Sequence, residues 1–272
     1  MRNSTRRNRN IGTAKQGFGQ NNKLVVPYHA QEMKSFYERL EEYNVVKRTI
    51  NNHTFKFVVE KTRENSFHAC TIDDLETILA QIPKDHYGDL ELIILRQPTR
   101  KEENLKAVWG RLIYSYEFEN DYLPAIIIEA VNLEGSFKWP KKLSVGGQKE
   151  LERLKEDGHK IVMGKRYFEA EYTIENIRAT QLYRTLPHEF GHYVHYLDLV
   201  IKPEKTDEED DAWEKRWNDY HRLPTSEKES FAHSYADTFK SKLETKNLIP
   251  FDRILDLDKI KKDGLNISDF KT

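Results

Sequence analysis

Two histidines and a glutamate in residues 186–195 have the types and spacing that bind a metal ion. His188 and His192 are four residues apart, so a helix places both imidazoles on one face, about one turn apart. Two imidazoles in this arrangement can bind one Zn²⁺, and Glu189 can then polarise a water molecule on the metal. The segment predicts a hydrolytic metal centre. The alternative is a buried helix with two satisfied histidines.

The flanking residues predict the helix that this chemistry needs. Thr185 is placed to act as the N-cap, and Pro187 falls in the first turn, where its missing N–H costs nothing. Gly191 has a low helix propensity, which suggests that another element packs closely against that turn. Apolar residues in the same segment supply a face toward the core.

A catalytic zinc ion usually has three protein ligands and leaves a fourth position for water. His195 shares the face of the two histidines but lies roughly 10 Å from His188 along the helix axis, which favours a packing role. Asp198 stands where an extended form of the motif has its last ligand. That form needs a glycine to bend the chain back, and His195 occupies the position instead.

Glu229 is the third ligand that we favour. It lies on a second predicted helix, residues 227–243, where it shares a face with His233. A carboxylate from this helix completes the metal site, and His233 can hydrogen-bond a ligand or the reacting oxyanion. Glu227 is the fallback ligand. The alternative role for Glu229 is to stabilise the helix dipole or to close a capping box with Ser226.

These residues resemble the gluzincin metallopeptidases. The run H-E-F-G-H at residues 188–192 and the run E-S-F-A at residues 229–232 are most similar to the catalytic domain of the anthrax lethal factor type. The resemblance covers roughly residues 180–240. It implies a zincin-like fold in which Glu189 is the general base and Glu229 is the zinc ligand.

The resemblance also implies a tyrosine, shortly before the second glutamate, that stabilises the oxyanion. Tyr220 is the nearest upstream tyrosine here, at a longer spacing than the family has, and His221 is beside it. The family has a glutamate at the position of His233. Tyr220, His221 and His233 are therefore all candidates for the oxyanion partner.

The resulting hypothesis is a zinc metalloendopeptidase that hydrolyses a protein or peptide substrate. Zn²⁺ on its three ligands is expected to lower the pKa of a bound water to about 7. Glu189 is expected to take the proton of that water and later pass it to the leaving amine. The substrate is expected to lie extended along an exposed sheet edge, supplied by residues 126–131 or by residues 160–172.

The order of the predicted elements favours one α+β domain that covers residues 25–272. Strands and hairpins dominate residues 50–172, and helices dominate residues 173–272. This order does not fit a regular βαβ repeat. A mixed N-terminal sheet, an active-site helix and a helical C-terminal part are therefore expected. A helical pattern is also predicted over residues 28–48.

Composition limits the compartment and the partners. The 272-residue chain has a net charge of −1, which implies neither a polyanionic nor a membrane partner. Cys70 is the only cysteine, which rules out an intramolecular disulfide and fits a reducing compartment. With no apolar run of membrane length and no signal peptide, we expect a cytoplasmic protein. An injected or secreted effector would show the same features.

Residues 1–24 contain basic side chains and no acidic one, which predicts a disordered basic tail. Such a tail is more often solubilising than an arm that binds nucleic acid, so nucleic acid is an unlikely partner. Two alternatives to an enzyme remain at this point. One is a zinc-binding scaffold with no turnover, and the other is a nucleic-acid-binding protein that uses this tail.

Overall fold

Strands dominate the described residues up to residue 170, and helices dominate those that follow. The structure, a computed structural model, describes residues 39–100, 102–103, 108–134, 137–203 and 210–271. Its strands are β1 (Tyr43–Ile50), β2 (His53–Glu60), β3 (Ser66–Phe67), β4 (Leu92–Arg96), β5 (Gly110–Phe118), β6 (Asp121–Glu129), β7 (Val131–Asn132), β8 (Phe137–Pro140), β9 (Ile161–Met163) and β10 (Tyr167–Ala170).

Most of the described helices lie after the last strand. The α-helices are α1 (Ile72–Leu79), α2 (Val145–Glu156), α3 (Ile174–Thr180), α4 (Leu186–Tyr196), α5 (Asp210–Arg222), α6 (Thr225–Thr245) and α7 (Leu257–Lys262). Two π-helical segments, Gln181–Thr185 and Leu197–Ile201, flank α4, and 3₁₀ helices cover Lys84–His86 and Ile267–Asp269. The α+β class, with a mixed sheet and a helical C-terminal part, is confirmed.

The largest sheet has five strands in the order β1-β2-β4-β6-β5. Strands β2, β4 and β6 are parallel, and β1 and β5 each pair antiparallel with their neighbour at the two edges. All five residues of β4 are buried, as expected for a parallel strand that is covered on both faces. Two smaller sheets have the orders β8-β10-β9 and β3-β7.

Alternate residues of the parallel strands join the sheet to the helices. Phe57, Ile93 and Ile126 belong to the same buried apolar cluster as Leu186 and Phe190 of α4. Each of these side chains is fully buried. Full burial of an apolar side chain of this size stabilises the fold by roughly 1.5–3 kcal/mol. The apolar side of α4 is therefore anchored in the main core.

The helical prediction for residues 28–48 is wrong for every described residue: residues 39–42 are not helical, and the stretch from Tyr43 onward is a strand. This stretch is β1, which pairs with β2 along its whole length. Asn51 and Asn52 form the connecting turn with φ values of 51° and 63°, the left-handed conformation that a tight hairpin requires. Tyr43 is 39% exposed, although the helical pattern would have buried it. Residues 28–38 lie outside the described residues.

Residues Leu40–Thr272 belong to one compact unit. The basic tail predicted for residues 1–24, and the domain boundary that follows it, lie outside the described residues. Within the ranges that the structure describes, no helix is both long enough and apolar enough to cross a membrane.

Candidate metal centre

Helix α4 is the middle part of a helical segment that runs without interruption from residue 174 to residue 201. Thr185 has helical angles, φ −64° and ψ −53°, and its side chain makes no capping hydrogen bond, so the predicted N-cap is wrong. Pro187 cannot donate in a regular helix, and its ring would clash with the carbonyl four residues earlier. The π-helical turn before α4, in which Leu186 N–H donates to Gln181 O, accommodates this proline.

Gly191 is the point at which α4 packs against α6. A Cβ atom on Gly191 would lie 2.8 Å from Ala232 Cα and 3.0 Å from Ala232 O, so any side chain would force the two helices apart. The close packing predicted from the glycine is therefore confirmed. Because Glu229 lies one turn before Ala232, this contact brings the start of α6 beside the histidines of α4.

The donor atoms of His188, His192 and Glu229 converge on one point. Nε2 of His188 lies 3.1 Å from Nε2 of His192. The Glu229 carboxylate lies 3.3 Å from the His188 nitrogen and 3.6 Å from the His192 nitrogen. Tetrahedral zinc, with bonds of about 2.0–2.1 Å, separates neighbouring ligand atoms by about 3.3 Å. Number, type and spacing of the donors therefore fit a zinc ion.

The charges in this cluster also suit a cation. The imidazoles of His188 and His192 lower the pKa of Glu229 well below its ordinary range, so its carboxylate is ionised. The two histidine side chains are only 13% and 14% exposed, whereas Glu229 is 44% exposed. The cluster is thus closed on the side of α4 and open to solvent on the side of α6.

Glu189 lies beside this cluster and contacts strand β5. One oxygen of its carboxylate accepts a hydrogen bond of 2.8 Å from the backbone N–H of Leu112. Desolvation raises the pKa of Glu189, which makes it a stronger base than an exposed carboxylate. Leu112 uses its N–H for Glu189, so this edge of β5 faces the cluster.

The two sheet edges predicted for the substrate are not the one that faces Glu189. Residues 126–129 belong to β6, which pairs with β4 on one side and β5 on the other, so this prediction is wrong. Residues 160–172 contain β9 and β10 of the three-stranded sheet, where β9 is an edge strand. The edge beside the cluster belongs to β5, which ends the five-stranded sheet.

His233 is the candidate oxyanion partner that the structure brings to the cluster. Its ring centroid lies 4.4 Å from that of His188, and its Nε2 lies 3.9 Å from Glu229 Oε2. Arg153, in the last turn of α2, lies 2.9 Å from the same His233 nitrogen. Burial, and then the charges of His188 and Arg153, lower the pKa of His233 to about 4.

Tyr220 is almost fully buried and packs against the rings of His195 and Tyr196 in the last turns of α4. Its hydroxyl donates to the backbone carbonyl of His192 at 3.3 Å. It lies 2.7 Å from the hydroxyl of Tyr114, which is therefore the donor in that pair. Tyr114 belongs to a bulge in β5 between Ile113 and Tyr116, so these two hydroxyls tie the edge strand to α4.

The other residues that the sequence suggested as ligands or oxyanion donors lie outside the group of converging donor atoms. That group contains Glu229 and not Glu227. His221 is exposed, and its Nδ1 donates to a backbone carbonyl of its own helix at 2.8 Å. His195 is buried and stacks on an aromatic ring of α6 at 4.3 Å. Asp198 is exposed and pairs with a lysine one turn later. The roles of His195 and Asp198 are therefore packing and surface charge pairing.

Comparisons with family models, with curated proteins and with solved structures found no match for this chain.

Proposed function

We propose that this chain is a zinc-dependent metallopeptidase of the gluzincin type, with a zincin-like fold. One observation carries the proposal: two imidazole nitrogens of α4 and a carboxylate of α6 converge at 3.1–3.6 Å, with a second carboxylate, that of Glu189, beside them. His188, His192 and Glu229 are the ligands in this proposal, and Glu189 is the general base.

A zinc ion in this site would supply a Lewis acid and a water of lowered pKa. Glu189 takes the proton of the attacking water and delivers it to the leaving amine. The hydrogen bond from Leu112 N–H holds one of its oxygens, and in this proposal the other oxygen accepts the proton. The raised pKa of Glu189 favours the step in which the carboxylate accepts the proton.

His233 is our candidate for the donor that stabilises the oxyanion. The Tyr220 hydroxyl already donates to the backbone of α4, and His221 already donates to the backbone of α5. His233 lies beside the cluster and uses only Nε2 in its contact with Arg153, which leaves its Nδ1–H as a donor.

The substrate in this proposal is a protein or peptide segment that adds to the edge of β5. This strand ends the five-stranded sheet, and its Leu112 N–H is directed toward the cluster. An extended peptide on that edge would use backbone hydrogen bonds for binding and would present one peptide bond to Glu189.

Zinc analysis of purified protein tests this function. We expect one zinc ion per chain and cleavage of casein or a random peptide library, both lost after chelation. Glu229→Ala should weaken zinc binding by about 100-fold or more, because a ligand is removed. Glu227→Ala, on the same helix turn, is the matched control and should leave zinc binding unchanged.

Two outcomes of this experiment contradict the proposal. If protein purified without a chelator contained no zinc, and bound none when zinc was added, the proposed metal site would be wrong. Stoichiometric zinc without cleavage of any peptide would instead indicate a zinc-binding scaffold.

Removing the N–H of Leu112 should weaken catalysis without removing the metal. Leu112→Pro eliminates the hydrogen bond to Glu189 at a position of an edge strand that does not donate to the neighbouring strand. A hydrogen bond to a charged group contributes about 1.5–3 kcal/mol, so kcat should fall by about tenfold or more. Leu112→Val keeps the N–H and should retain kcat within about twofold. Steady-state kinetics on a cleaved peptide measure both, and a wild-type kcat for Leu112→Pro would show that the contact is dispensable.

A further inference from the structure

His233 lies near enough to the candidate metal centre to become a fourth ligand. Its ring centroid is 4.4 Å from that of His188, closer than the 4.6 Å between His188 and His192. Its Nε2 lies 3.9 Å from Glu229 Oε2, only slightly more than the about 3.3 Å that separates neighbouring ligands of tetrahedral zinc. A small rotation of its side chain would bring a third imidazole nitrogen to the cluster.

Arg153 contacts the His233 nitrogen that would bind the metal. Nη1 of Arg153 lies 2.9 Å from Nε2 of His233. A guanidinium group has only donors and stays charged, so the His233 nitrogen must be the acceptor. The lone pair that could bind a metal is therefore used, and the ring proton is on Nδ1.

Arg153 belongs to α2, which is anchored by its own buried leucines and by ion pairs of its C-cap Asp157 with Arg184 and with Lys240 of α6. Its neighbours Leu151 and Leu154 are buried, and Leu154 belongs to a separate apolar cluster with Trp109 and Ile177. Within the described ranges Arg153 forms no salt bridge, so the contact with His233 is the polar contact of its guanidinium group. The position of α2 thus decides where His233 is held.

We propose that Arg153 is a positioning residue that withholds His233 from the metal and keeps one coordination position open. The inference rests on the proposed zinc site. Zinc sites with four protein ligands are typically structural, whereas catalytic sites have three and leave a position for water or substrate. Arg153 therefore selects the open, catalytic form of a site that has four potential protein ligands.

Replacing Arg153 by Met, which has a flexible side chain without a donor, tests this proposal. In Arg153→Met, His233 should close the site, and the Kd for Zn²⁺ should fall by about tenfold or more. The Co²⁺-loaded wild type should change its visible spectrum when acetohydroxamate is added, and Co²⁺-loaded Arg153→Met should not. Arg153→Lys retains a donor and should behave as the wild type.

The double variant Arg153→Met with His233→Ala identifies the ligand that closes the site. It should regain the wild-type response to acetohydroxamate, because the fourth ligand is gone. His233→Ala alone should keep the Kd for Zn²⁺ within about twofold of wild type, since His233 is not a ligand there. If circular dichroism shows that Arg153→Met does not fold, the zinc affinity of His233→Ala alone still tests whether His233 is a ligand in the wild type.

The outcomes separate this inference from the proposed function. Unchanged zinc affinity together with an intact acetohydroxamate response in Arg153→Met would overturn it, while the zinc site itself would stand. A tenfold loss of zinc affinity in His233→Ala would also overturn it, because His233 would then already be a ligand. If the wild type bound neither Zn²⁺ nor Co²⁺, the proposed zinc site would fall first.

Discussion

Glu189→Gln is expected to lower kcat by about 10²- to 10⁴-fold while zinc remains bound. The amide cannot accept the proton of the attacking water. Its carbonyl oxygen can still accept the hydrogen bond from Leu112 N–H, so the geometry of the edge strand should be kept. Steady-state kinetics and metal analysis of the same preparation measure the two properties together.

Glu171→Gln is the matched control for this substitution. Glu171 is an exposed carboxylate that pairs with Lys160 at 3.2 Å, so its amide should leave kcat unchanged. Full activity of Glu189→Gln on every cleaved substrate would mean that Glu189 is not the base.

The pH dependence of kcat/KM gives a second measurement of the same role. A general base is active only when deprotonated, so the rate should fall as the pH decreases through the pKa of Glu189. Desolvation raises this pKa in the metal-free site, whereas the charge of a bound zinc ion would lower it, so the limb is assigned by comparing the wild type with Glu189→Gln. An acid limb that persists unchanged in the residual activity of Glu189→Gln would contradict the assignment.

Local patterns in the sequence were sufficient for the part of the site that lies on helices. The four-residue spacing of His188 and His192 is also the period of a helix, so their common face follows from sequence alone. Gly191 indicated a close helix contact, which Ala232 provides. Glu229 was selected by its type and by the resemblance, and it does converge on the two histidines.

The strand that contacts the site could not be found in this way. Leu112 contributes a backbone N–H, which every residue except proline has, so no side-chain pattern identifies it. Residues 126–131, one of the two predicted substrate edges, begin with three consecutive isoleucines. That composition is typical of a strand buried between two neighbours, and β6 indeed has β4 and β5 beside it.

Arg153 and Tyr114 were missed for a related reason. Both meet their partners, His233 and Tyr220, through contacts that join segments far apart in sequence. Charged and aromatic residues with no special spacing give no sequence signal, and only the packing of α2 and β5 against the helices brings them together. Periodicity likewise failed for β1, where cross-strand pairing with β2 overrides a helical pattern.

Gly191→Ala is expected to destabilise the protein and to weaken its zinc binding. The added Cβ would lie 2.8 Å from Ala232 Cα, which is backbone and cannot rotate away. Overpacking of this kind costs about 1–3 kcal/mol or more, whereas the better helix propensity of alanine returns about 1 kcal/mol. A net loss of up to about 2 kcal/mol in the free energy of unfolding should therefore appear in urea denaturation.

The loss of zinc affinity follows from the same clash. If α6 moves away from α4, Glu229 moves away from His188 and His192, and the Kd for Zn²⁺ should rise by about tenfold or more. Gly146→Ala is the matched control, because a Cβ there would have Ser144 Oγ as its nearest neighbour, at 4.0 Å. That variant should keep its zinc affinity and gain up to about 1 kcal/mol in stability. If Gly191→Ala kept the stability and the zinc affinity of the wild type, the two helices would accommodate the added Cβ without moving Glu229. The metal centre would then not depend on this contact.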